Sequence, residues 1–61
     1  MNREEIIADV RRMMKEFGYE ESNEMKLFSN MIGGYFISLE DFNDSQLKVI
    51  HRSLNRRLKA Q

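Results

Sequence analysis

A single histidine, ten carboxylates and no cysteine bound the chemistry open to this chain of 61 residues. His51 is its only side chain whose ordinary titration lies near neutrality, so acid–base catalysis would have to run through it. A general base needs a nucleophile or proton source within hydrogen-bond reach, and a third group to orient it. On a helix, His51 has Leu47 and Asn55 four positions to either side, and neither supplies that chemistry. His51 therefore reads as a structural histidine on a helix flank, and no catalytic residue and no enzyme is expected.

The carboxylates Glu4, Glu5 and Asp9, and then Glu20, Glu21 and Glu24, form two clusters. Metal ligands must converge in a fixed geometry, whereas acidic residues at the starts of helices are explained by the helix dipole and by solvation. Gly33-Gly34 lacks the glycine spacing of a phosphate-binding loop and is not followed by Lys-Ser or Lys-Thr. No metal and no cofactor is expected.

The basic residues form the clearer pattern. Residues 44–61 carry five basic and one acidic side chain, and residues 1–43 carry five basic and nine acidic ones, so a chain of zero net charge divides into parts of +4 and −4. At about 100° per residue, Lys48, Arg52, Arg56 and Lys59 fall within about 80° of one another, with Asn55 adjoining them. At 1.5 Å per residue the ridge is about 17 Å long. Its expected use is to bind an acidic protein surface. DNA is the alternative, with the ridge across phosphates or in the major groove and Arg and Asn at base edges. A solvated face, with cations near a helix C-terminus and the chain's own acidic part, is the reading without function. All six aromatic residues lie between Phe17 and Phe42, away from the ridge, so stacking on single-stranded bases is not expected.

The elements that carry these residues are helices divided by glycine, with no proline anywhere. Ile6, Ile7, Val10, Met13, Met14 and Phe17 make a stripe about 120° wide, the pattern of an amphipathic helix facing a core. Asn2 with Glu5 forms a capping box, Met1 and Ile6 occupy the staple positions, and Gly18 is the stop. Ile7 and Met14 lie at a margin of the stripe, where a surface apolar patch for a partner is expected. A second helix with Ser22 as N-cap carries Met25, Leu27, Phe28, Met31 and Ile32 over a wide arc, which predicts burial on more than one side; Gly33 and Gly34 end it. Tyr35, Phe36 and Ile37 have no partner strand and read as an extended connector on the core.

Ser38 with Asp41 predicts one helical turn, and Asn43 with Gln46 opens a final helix that runs to about Lys59. Leu47, Ile50, Leu54 and Leu58 form a narrow seam on it, able to pack within the chain or between two copies. Val49 faces away from the seam beside Arg52 and Arg56, apolar without an evident intramolecular task. The expected architecture is all-α, one domain over residues 1–61: a small three-helix domain with a short extra helical turn before the last helix.

A chain this size buries about 60 % of its unfolded surface, leaving roughly 4,200 Å² accessible, and no disulfide supplements that core. No apolar run approaches a membrane span, and the charged N-terminus does not read as a signal peptide, so a cytoplasmic protein without membrane contact is expected. The functional expectation is a small interaction module that binds and modulates or inhibits a larger macromolecule. Stand-alone modules of this kind are common on phages and mobile elements, an association that rests on size alone. Its expected contact residues are Lys48, Arg52, Asn55, Arg56 and Lys59, with Ile7, Met14 and Val49 as apolar contacts. A homodimer is expected, and the alternatives are a dimeric DNA-binding regulator and a structural homo-oligomer joined through the leucine seam.

Overall fold

A computed structural model describes residues 1–60 and contains no strand among them. Three helices, α1 (Arg3–Phe17), α2 (Glu21–Ile32) and α3 (Asp44–Ala60), are accompanied by one 3-10 turn, Leu39–Asp41, ahead of α3. This is the all-α, three-helix architecture with an extra turn that the apolar spacing predicts.

Local chemistry sets the helix ends. Asn2 Oδ1 accepts from the Glu5 amide at 2.8 Å while Glu5 Oε1 accepts from the Asn2 amide at 3.3 Å, closing the capping box of α1. The accompanying staple does not form, because Met1 remains exposed. Gly18 and Gly33 end α1 and α2 with φ of 75° and 88°, the left-handed conformation in which a Cβ is strained. The N-cap of α2 is Glu20 rather than Ser22, and no side chain caps that end. Helix α3 is better specified, since Asn43 Oδ1 accepts from the Gln46 amide at 2.8 Å and the Asn43 amide donates to Gln46 Oε1 at 2.9 Å. Asp41 Oδ2 accepts from the Ser38 amide at 3.2 Å and holds the 3-10 turn in the same manner.

Helices α1 and α3 form the principal packing pair. Arg3 meets Asp44 and Asp9 meets His51, so the two run in the same direction. Arg57 meets Glu24, while Met31 and Ile32 share a cleft with Ser45, Gln46 and Val49, so α2 runs antiparallel to α3. The core joins Ile6, Val10 and Met13 of α1 to Met25 and Phe28 of α2, Leu39 and Phe42 of the turn, and Leu47, Ile50 and Leu54 of α3. Leu47, Ile50 and Leu54 are fully buried inside one chain, so these three seam positions pack intramolecularly, while Leu58, the fourth, is 36 % exposed.

Two apolar expectations are corrected. Ile7 and Met14 are buried, 7 % and 2 % exposed, and belong to the core. Arg3, Arg11 and Glu40 flank Ile7 in one surface depression, so side chains from outside the stripe cover its margin, and no surface patch exists there. Helix α2 is buried along one side only, through Glu24, Met25 and Phe28, and its Leu27 and Met31 face outward. The wide arc of apolar residues is larger than the core it meets. In the connector, Phe36 stacks on Phe42 with ring centroids 4.1 Å apart, while Tyr35 and Ile37 stand 88 % and 75 % exposed. A Cβ on Gly34 would lie 2.8 Å from the Phe36 ring, so glycine is what allows that ring to turn back beneath the chain.

Candidate functional site

The basic ridge is built by α3 alone. Lys48, Arg52, Arg56 and Lys59 are exposed and Asn55 is half-buried beside them, and together with His51 they line one shallow depression. The helix is oriented by its opposite side, where Leu47, Ile50 and Leu54 are locked into the core.

Much of the charge elsewhere is engaged, although Lys15 and Lys26 have no carboxylate within 4 Å among the described residues. Arg11 joins three elements, donating from Nε to Glu21 at 2.9 Å and from Nη1 and Nη2 to Glu40, each at 2.9 Å. Those two carboxylates raise the Arg11 pKa further above its already high ordinary value, and Arg11 holds Glu40 below its own. Arg12 bonds Asp9 and Glu16 at 2.6 and 2.8 Å. Arg3 reaches Asp44 at 3.1 Å and the Glu40 carbonyl at 2.6 Å. Glu24, buried on α2, has Arg57 Nη1 at 3.6 Å, and Arg57 also lies over the Tyr19 ring. Of the carboxylates that cluster in the sequence, Glu5 serves a cap, and Asp9, Glu21 and Glu24 meet arginines. Among the described residues, no carboxylate lies within 4 Å of Lys48, Arg52, Arg56 or Lys59.

His51 is more tightly placed than its helical neighbours imply. Its Nε2 is 2.6 Å from Asp9 Oδ2 and its Nδ1 is 3.3 Å from Asn55 Nδ2. An amide nitrogen can only donate, so Nδ1 accepts and Nε2 carries the proton toward Asp9. Both ring nitrogens are occupied, and among the described residues no nucleophile adjoins them. The ring acts as a bridge between α1 and α3 at the edge of the ridge. It also engages one N–H of the Asn55 amide, whose Oδ1 stays on the ridge beside the four cations.

The helix pair required of a helix-turn-helix is missing from the residues before α3. The preceding 3-10 turn has three residues, too short to serve as the helix that crosses a DNA backbone. No helix among the described residues is long and apolar enough to cross a membrane. Comparison with family models, curated proteins and solved structures finds no match to the chain.

Proposed function

We propose that this chain is a non-enzymatic interaction module whose α3 ridge grips the acidic surface of a larger protein and so modulates or inhibits it. One observation carries the reading: Lys48, Arg52, Arg56 and Lys59 are aligned on one face of α3 with no carboxylate within 4 Å among the described residues, whereas Arg3, Arg11, Arg12 and Arg57 are paired and the unpaired Lys15 and Lys26 stand apart on α1 and α2. Held on a helix with a buried back, the four guanidinium and ammonium groups are aligned before a partner arrives, which favours fast, charge-steered capture. Val49, the one expected apolar contact that is exposed, stands beside them.

The test compares wild-type protein with the Arg52→Glu/Arg56→Glu variant as bait in nuclease-treated lysate, alongside anisotropy with labelled mixed-sequence duplex DNA. Capture of a protein by wild type and not by the variant is expected, with no DNA binding at physiological salt. Equal capture by both proteins would remove the ridge from the function. DNA affinity falling with a log–log salt slope near −3.6, as about four phosphate contacts require, would replace the acidic protein by a nucleic acid.

A further inference from the structure

We infer that the ridge is one half of a composite docking face, and that its occupant is an acidic amphipathic helix of the partner. The inference rests on the proposed function, since the ridge supplies the charge, and it adds an apolar half. Leu27 and Met31 of α2 are 52 % and 48 % exposed and Val49 of α3 is 44 % exposed. Leu27 and Met31 are one turn apart on the same face of α2. Met31 and Val49, with Ile32, Ser45 and Gln46, line a cleft of about 290 Å³ between the two helices. Val49 precedes Arg52 by three residues and Arg56 by seven, so the apolar strip and the unpaired arginines are contiguous on α3.

The face therefore has two parallel rows. One is apolar with a cleft that accepts a side chain, and the other is cationic and about 17 Å long. A ligand complementary to both must present apolar side chains in one row and carboxylates in a second row beside it, over about three turns. An amphipathic helix does so through its i, i+4 and i+7 positions. The charge decides its chemistry, because the strip adjoins Arg52 and Arg56 on α3, and on α2 Asn23, Asn30 and Lys26 lie to one side of it. On the other side Glu24 is paired to Arg57, and Glu20 at the N-terminal end is, among the described residues, the one exposed carboxylate in line with the strip. Arg52, Arg56 and Lys26 are not paired within the described residues. Arginine beside an exposed apolar strip is also the composition found at the centres of protein interfaces.

The experiment selects binders from a random 16-residue peptide library against the intact wild-type protein. The enriched peptides are then titrated against Met31→Ser/Val49→Ser, Arg52→Glu/Arg56→Glu and Tyr35→Ser/Ile37→Ser, each variant first checked for wild-type helicity and melting. The expected winners are helical on binding, acidic on one face and apolar on the next. They lose at least tenfold in affinity on each of the first two variants and keep it on the third. Winners indifferent to Met31→Ser/Val49→Ser but lost on charge reversal would overturn the apolar half and leave the ridge reading standing. Winners indifferent to charge reversal would overturn both. Loss on Tyr35→Ser/Ile37→Ser alone would move docking to the connector and overturn the inference. So would a concentration-dependent dimer abolished by Met31→Ser/Val49→Ser, since the occupant would then be a second copy.

Discussion

Asp9 accepts hydrogen bonds from His51 and from Arg12, and these hold its carboxyl below the ordinary value of 3.8. A carboxylate whose native pKa is lowered stabilises the fold fully above its unfolded value, and that contribution is lost as pH falls through the native one. Glu40, lowered by Arg11, acts with the same sign. Replacing Asp9 by Asn should therefore lower stability by about 1 kcal/mol at pH 7 and also flatten its dependence on pH below about 4. Melting curves of wild type and Asp9→Asn between pH 2 and 7 check this; parallel curves would show that Asp9 contributes nothing specific. This contact was not legible in the sequence. Asp9 and His51 are 42 residues apart, and a helical wheel reports only neighbours three and four positions away. The His51 bond to Asn55 does fall at that spacing, yet it gains a meaning only once Asp9 fixes the tautomer.

At the scale of elements, the helix boundaries with a chemical signal were readable and those without one were not. Asn2 with Glu5, Ser38 with Asp41 and Asn43 with Gln46 each place an oxygen where an orphan amide needs it. The start of α2 has no such side chain, and there Ser22 misleads by two residues. Burial was readable at Leu47, Ile50 and Leu54, and misread at Ile7, Met14, Leu27, Met31 and at Leu58, the last position of the α3 seam. A wheel gives the angular width of an apolar arc and says nothing about how far other elements wrap around it. Because α3 carries the ridge, its cap has a consequence for function as well as stability. Asn43→Ala removes the acceptor for the Gln46 amide and should cost about 1 kcal/mol, a fall in melting temperature of about 4–8 °C for a domain this small. The loss should be regained by Asn43→Asp, which restores an oxygen at the same position and adds charge favoured by the helix dipole. An unchanged melting temperature in Asn43→Ala would mean that burial of Leu47 and Ile50 alone defines the start of α3.

For the molecule as a whole, the accessible area of 4213 Å² matches the roughly 4,200 Å² of a self-contained monomer of this mass. The chain thus buries as much of itself as a monomer of this mass does, and a ridge used for binding would be separable from folding. That separation can be measured. Lys48, Arg52 and Arg56 are spaced four apart on one helix face, where like charges repel, and each such pair opposes the helix by a few tenths of a kcal/mol. Arg52→Gln removes two of these repulsions and breaks no ion pair, so it should raise the melting temperature by about 2–4 °C at low salt. The gain should vanish in 1 M salt, where the screening length is about 3 Å. Arg12→Gln, which loses its bonds to Asp9 and Glu16, should shift the melting temperature downward under the same conditions. Two arginines that differ only in having partners would then move stability in opposite directions. A fall in both would mean that the ridge supports the fold after all, and its four cations would no longer require an acidic partner to explain them.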